Sequence, residues 1–442
     1  MHERKNLIIR LLIFVLSIAL STSITSAENI IYVDPNGSAD YSTIQAAIDA
    51  AVDGDTILVA PGTYTGDGNR DIDFKGKAIT VKSKYGSNTC IINCQGSPGE
   101  YHRGFYFHND EDANSVVQGF TIINGYAVRG GGIFCESASP HILDCLITEN
   151  TAFESGGGIQ CEYSNPTIKR CFIEKNSADY GGGVGIGSTG SISSMLTITN
   201  CLITGNKAMR SGGGICCIGK VNFSNCTVIG NSAGIEGGGI SFLLVVGERI
   251  NNSILYGNMS STGSEIAIIT PAPGLAGCGE PLLKITNSVV GSDPNDIYFT
   301  HCNGYLYGEW LQADPLFANP GFWDANGTLD DPNDDFWVKG DYHLKSQAGR
   351  WDPDSQSWVV DDVTSPCIDA GDPNSPVGLE PFPNGGIINM GAYGGTIEAS
   401  KSYFGEPTCK TIIAGDINGD CVVDFKDLAI MALHWMDYDS EP

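Results

Sequence analysis

The sequence predicts an all-β fold, a right-handed parallel β-helix solenoid, with an N-terminal helical cap and a small C-terminal loop-helix module. Three observations carry that expectation. The first is Gly-Gly-Gly, which begins at Gly130, Gly156, Gly181, Gly212 and Gly237, at spacings of 26, 25, 31 and 25 residues. A period of this size marks chains that stack copies of one supersecondary unit. The second is a set of columns that move with the glycines. One runs Phe120, Cys145, Cys171, Cys201, Cys226, Ser253, and two residues on lies Ile122, Ile147, Ile173, Ile203, Val228, Leu255. A further column is Gly125, Asn150, Asn176, Asn206, Asn231, Asn258. The third is parity. Residues two apart on a strand share a face, so Cys171 and Ile173 point inward together with Phe172 outward. Ile168 lies three before Cys171, and a bend must restore its parity. The bend column is Gly119, Asp144, Arg170, Asn200, Asn225, Asn252. All but Arg170 are types that accept a left-handed backbone. Each repeat therefore reads strand, bend, strand, Asn, glycine turn, strand.

The elements follow in order. Residues 1–27 read as a secretory signal: Arg4, Lys5 and Arg10 precede an apolar run from Leu11 to Leu20, and Thr25-Ser26-Ala27 forms a small-residue cleavage site. The run is too short for a membrane span, and no second apolar stretch of spanning length follows. Residues 30–33 are expected as a first strand. Ser42 or Thr43 caps a short helix over 44–51, stopped by Asp53-Gly54. Residues 55–61 return as a strand, and 78–94 begin the coils. The helix is placed as a plug, because the last coil of a solenoid exposes unpaired backbone and apolar core.

Fifteen cysteines fit an oxidising compartment. Cys135/Cys145, Cys161/Cys171 and Cys217/Cys226 recur at nine or ten residues. Two readings stay open, disulfides within a coil or a ladder of buried free thiols. Cys90 and Cys94, if on one strand, stand too far apart to pair. Charge narrows the partners. The formal charge is −27, and removal of the signal leaves 21 basic and 50 acidic residues. Nucleic acid is excluded as a partner, and an acidic polysaccharide is repelled unless calcium bridges it. Two motif matches are accidents of the repeat. Gly230-Asn231-Ser232-Ala233-Gly234 fits a nucleophile elbow, but Ser232 occupies the position held by Thr151, Ser177 and Lys207. The run from Gly185 to Gly190 fits a dinucleotide fingerprint but leads into a strand.

The stretch Tyr41-Ser-Thr-Ile-Gln-Ala-Ala-Ile48 through Asp53-Gly-Asp55 to Pro61-Gly-Thr-Tyr64 is similar to the amino-terminal segment of pectin-lyase-like β-helix proteins, including pectin methylesterases. With the glycine repeats, the resemblance covers roughly residues 30–290. It implies a fold shared by lyases, hydrolases, esterases, epimerases and non-catalytic surface proteins. The signatures of pectate lyases (Trp-x-Asp-His, Arg-x-Pro-x-x-Arg), polygalacturonases (Gly-His-Gly, Arg-Ile-Lys) and methylesterases (Asp-Phe-Ile-Phe-Gly) are missing. No catalytic residue is carried over. Arg103, Arg129, Lys169 and Arg210 are candidates for a lyase base, against the plainer reading of solvated surface.

The period is lost over 291–404, which is read as irregular final coils and a C-terminal cap, with the solenoid itself at 28–290. Asp324 to Asp335 is dense in oxygen ligands, either a calcium loop or a solvated acidic one. The segments from Ser365 to Asp372 and from Asn389 to Gly395 resemble a carboxy-terminal segment of secreted bacterial β-helix proteins. Trp323, Trp337, Trp351 and Trp358 offer a platform for sugars or the packing of the cap.

Residues 405–442 carry the sharpest chemical pattern. Asp416, Asn418, Asp420, Asp424 and Asp427 fall at loop positions 1, 3, 5, 9 and 12, and the carbonyl of Val422 serves position 7. That is the spacing of a calcium loop, whose hard cation takes six to eight oxygens. An apolar face of Phe425, Leu428, Ala432 and Trp435 follows. The stretch looks like one loop-helix repeat of a type I dockerin, a family that normally carries two. Cys421 stands where such loops usually have Gly, with Cys409 a natural bridge partner. The resemblance implies calcium as cofactor and a cohesin-like or cell-surface partner. The expected function is binding or degrading extracellular polysaccharide, outside the cell or on its surface. The competing class is a non-catalytic adhesion protein that uses the solenoid as a wall.

Overall fold

The computed structural model describes residues 29–187, 195–243, 248–269, 283–300, 306–327 and 335–403, and Phe425 by itself. The signal segment and the tail module with its calcium residues lie outside the described residues.

Strands of successive coils pair in parallel to build three long sheets, of eleven, nine and nine strands among the described residues, and one short sheet of five. A coil passes from the first sheet (His141–Leu143) to the second (Leu146–Thr148), the short sheet (Thr151–Ser155) and the third (Ile159–Glu162). Like residues stack: Ile147 on Ile173 and then Ile203, Cys135 on Cys161, Ala178 on Ala208. Inward side chains fuse into one core running from Ile31 to Val290.

The bend column is left-handed as expected, and Arg170 obeys it, with φ +52° beside Asp144 at +54° and Asn200 at +52°. A second left-handed column lies at Asn124, Glu149, Lys175, Gly205 and Gly230. Glu149 and Lys175 hold that backbone at a cost of roughly 1–2 kcal/mol each. The reward follows at once, because the next residue is the buried asparagine. Asn150, Asn176, Asn206, Asn231 and Asn258 form a ladder in which each Oδ1 accepts the preceding coil's main-chain N–H, at 2.9–3.0 Å from Gly125 through Asn231. Glu265 ends it, its Oε1 accepting from Asn258 N at 3.2 Å. The triple glycines turn the chain where coils touch. A Cβ on Gly131 would lie 2.5 Å from the carbonyl oxygen of Gly157 in the next coil.

The disulfide reading is overturned for the described residues. Cys135, Cys145, Cys161, Cys171, Cys217 and Cys226 are buried and carry no disulfide, and the same holds for Cys90 and Cys94. The column stacks along the axis instead of bridging across a coil. Cys171 N donates to Cys201 Sγ, Cys201 N to Cys226 Sγ, and Cys226 N to Ser253 Oγ, at 3.2–3.4 Å.

The helix Ile44–Ala50 starts at Thr43, whose hydroxyl accepts from Ala46 N, and buries Ile44, Ala47 and Ile48 at the first coil. Coil pairing continues as far as Leu311, bridged to Val289. Beyond it, the chain runs back along the flank of the second sheet as a strap. Leu202, Ile229, Ile254 and Val289, all on that sheet's outer face, meet Phe317, Tyr342, Leu344, Cys367 and Met390 in a second core. The later bend asparagines hold the strap: Asn200 Nδ2 donates to Gly394 O at 2.7 Å, and Asn252 Oδ1 accepts from Asp372 N at 2.7 Å. Trp337 lies against Gly205, where a Cβ would stand 2.6 Å from its ring. Among the described residues no helix is long and apolar enough to cross a membrane.

Candidate functional site

The second sheet's outer face is covered by the strap, while the third carries a band of polar and aromatic side chains. Strand parity builds that band. Phe105/Phe107, Ile133/Cys135 and Ile159/Cys161 point inward, which turns Tyr106, Phe134 and Gln160 outward in one register column. Glu136 and Glu162 pair in the column beside it. Register partners on neighbouring rungs sit about 4.8 Å apart.

At one end of the band, rings stack. Tyr106 and Phe134 stack with nearly parallel rings, centroids 5.3 Å apart, and His108 stacks on Tyr106 at 4.0 Å. The Arg103 guanidinium lies 4.9 Å from the Tyr106 centroid and 5.1 Å from that of Phe134. Burial pulls the Arg103 pKa down, and its Nη1 is buried with no hydrogen-bond partner among the described residues. The Tyr106 hydroxyl donates to Glu136 Oε2 at 2.5 Å.

Further along, Arg129 joins two rungs. Its Nε donates to Glu154 Oε2 at 2.6 Å and its Nη1 to Glu162 Oε1 at 3.2 Å. Gln160 Nε2 also donates to Glu162, at 3.2 Å, while Gln160 Oε1 is buried without a partner among the described residues. These groups line a groove of about 310 Å³ with Asp179, Tyr180 and Cys216. Burial raises the Glu162 pKa; Arg129 and Gln160 pull it back, and the Glu136 and Glu154 charges add to the rise. Cys216 is the outward-facing thiol of the third sheet, and burial with the Glu236 charge holds it at about 12, so it is no nucleophile near neutral pH. Glu162 is the carboxyl of this band that burial favours in its protonated form.

Of the four basic residues singled out in the sequence, Arg103 and Arg129 belong to the band. Arg210 borders it, its Nη1 donating to the Tyr180 hydroxyl at 3.4 Å. Lys169 ends a strand of the first sheet, away from the others. The sequence reading missed Tyr106, Glu136, Gln160 and Glu162. Their signal was alternation with Ile133, Cys135, Ile159 and Cys161. The tryptophans pair across two hairpins: Trp323 with Trp337 at 5.5 Å, Trp351 with Trp358 at 5.6 Å. Trp337 is buried against the solenoid, so that pair serves packing. Asp324 Oδ1 accepts from Asn326 N at 2.9 Å, and residues 328–334 of that acidic loop lie outside the described residues.

Residues 29–233 match the family described as the right handed beta helix region. The solenoid is a right-handed β-helix. Residues 328–371 match a second family, described as disaggregatase related. No curated protein matches the chain. Among solved structures, pectate lyase Pel9A is similar at 17% identity, covering 84% of this β-helix chain and 97% of its own, with a TM-score of 0.44. An alginate lyase from Paenibacillus sp. is similar at 17% identity, covering 64% and 98%, with a TM-score of 0.40. A pectin methylesterase from carrot is similar at 14% identity, covering 66% and 86%, with a TM-score of 0.34.

Proposed function

We propose that this protein is exported and engages an extended, uncharged polysaccharide along the outer face of the third sheet, cleaving it with Glu162 as acid and Glu136 as the second carboxyl. One observation carries the reading: Glu136 and Glu162 share a register position on neighbouring rungs, with Arg129, Gln160 and the Tyr106–Phe134 stack beside them. A straight file of rungs suits a linear polymer better than a compact ligand. The acidic lining, Glu136, Glu154, Glu162 and Asp179 against Arg129, favours a neutral chain over a polyuronate. The raised pKa of Glu162 supports proton donation to a leaving oxygen.

Mature protein incubated with neutral and uronate polysaccharides should release reducing ends from a neutral one. Glu162→Gln should lower that turnover by roughly 10²–10⁴-fold, the usual worth of a general acid, and leave retention on the polymer intact. Retention without product from any polymer leaves the adhesion reading, in which the same face only binds. The dockerin-like tail, with calcium on Asp416, Asn418, Asp420, Val422, Asp424 and Asp427, would attach the protein to a cohesin-like or cell-surface partner. Asp416→Ala with Asp427→Ala should abolish that attachment and one calcium per chain in a calorimetric titration. Unchanged uptake counts against the loop.

A further inference from the structure

The strap holds two carboxylates, Glu380 buried and Asp369 partly buried, that no cation among the described residues neutralises. Asp369 sits at φ +52°. Glu380 is 7% exposed, and its Oε1 accepts from Asn389 N and Gly395 N, both at 2.8 Å. Asn389 ties the two acids together, since its Oδ1 accepts from Asp369 N at 2.8 Å. Ser402, 6% exposed, lies beside Asp369 with its hydroxyl outside hydrogen-bond distance. Three oxygens of this cluster, Asp369 Oδ1, Glu380 Oε2 and Ser402 Oγ, are buried with no hydrogen-bond partner among the described residues. The acids sense each other, for the Asp369 charge adds to the burial that lifts Glu380 to about 7. No arginine, lysine or histidine among the described residues offsets either one.

Buried carboxylates persist when they are paired or hold a metal. Carboxylate and neutral oxygens together form the donor set of a hard divalent cation. We propose that Asp369 Oδ1, Glu380 Oε2 and Ser402 Oγ bind one calcium ion, which ties three segments of the strap to one another. The site joins residues distant in sequence, and Asn389 carries it to the bend column through the Asn225 Nδ2 bond to Asn389 O at 3.4 Å. It uses no residue of the tail loop and does not depend on the polysaccharide reading.

The test uses the full chain carrying Asp416→Ala and Asp427→Ala, so that the tail loop is silent. Titration calorimetry should find a single calcium, and added calcium should raise the melting temperature. Glu380→Gln keeps Oε1 as acceptor for Asn389 and Gly395 but replaces the metal-facing oxygen. It should abolish both the calcium heat and the melting shift, with an unchanged circular dichroism spectrum. No calcium uptake by the parent, as two acids sharing a proton would give, overturns the proposal, and so does uptake that survives Glu380→Gln. Should Glu380→Gln fail to fold, Ser402→Ala decides: calcium weakened roughly tenfold or more supports the site, and unchanged affinity refutes it.

Discussion

The coils and the strap are held to the same second sheet by opposite means. Inside, one asparagine per coil makes the same bonds rung after rung: Asn206 Nδ2 donates to Ile173 O at 2.8 Å, and Asn176 Nδ2 does the same for Ile147 O at 2.8 Å. Outside, every contact is made once. Thr204 meets the Tyr342 hydroxyl at 3.1 Å, Lys339 pairs with Glu174 at 2.9 Å, and Trp337 fits over Gly205 and Gly230. The bend column shows the change of role within one register. Arg170 pairs with its column neighbour Asp144 at 2.5 Å, whereas Asn200, Asn225, Asn252 and Asn287 turn to the strap. Periodic contacts set the solenoid, and single contacts decide what lies on it.

The largest effect should come from breaking a rung. Asn206→Ala removes four buried bonds, to Ile173 O, Asn231 Oδ1, Asn176 Nδ2 and the Asn176 N–H, and leaves that N–H without its side-chain acceptor. At about 1 kcal/mol per bond, the loss is about 3–5 kcal/mol, read as a lower urea midpoint of the whole chain. The ladder's last member gives a pH signature. Burial, with Asp296 adding, raises Glu265 from 4.5 to about 8 despite its bonds to Asn258. The folded state therefore binds the proton more tightly than the unfolded one. Stability should fall as pH rises between about 4.5 and 8, by up to about 1.4 kcal/mol per pH unit, and Glu265→Gln should flatten that slope. A slope unaltered in the variant removes Glu265 as the cause.

The strap should yield separately and more cheaply. Gly205→Ala drives a methyl into the Trp337 ring at a cost of roughly 1–3 kcal/mol. Hydrogen exchange should then quicken across 335–403 and stay slow in the coils; uniform acceleration would deny the strap its independence. The smallest effect concerns His343. Burial lowers its pKa, but Asp341 at 2.5 Å and Glu398 at 3.5 Å outweigh that and leave it raised. Its contribution is complete below the unfolded pKa and is lost as pH rises through the folded one. Strap exchange should quicken slightly from acid to mildly alkaline pH, and His343→Gln should remove the change.

What the sequence disclosed follows from this division. The inward columns, the left-handed bend and the triple glycines were legible because each recurs, so even Arg170 could be placed by register. The thiols were ambiguous, since spacing alone does not separate a bridge across a coil from a stack along the axis. The strap was hidden: Leu202, Ile229, Ile254 and Val289 looked like ordinary strand residues, although apolar side chains at outward parity implied a cover. The band on the third sheet was half legible. Arg103 and Arg129 drew notice by charge, but Glu136 and Glu162 align only once the coils are wound.

One cross-link tests the winding itself. Thr151 and Ser177 are 26 residues apart in sequence yet register partners, with hydroxyls 3.2 Å apart. Thr151→Cys with Ser177→Cys should close a disulfide on mild oxidation, seen as the loss of two hydrogens by mass, with the native spectrum kept. Thr151→Cys with Lys207→Cys, two rungs apart, should stay open. Failure of the first pair, or equal closure of both, would contradict the stacked register on which the fold and its groove rest.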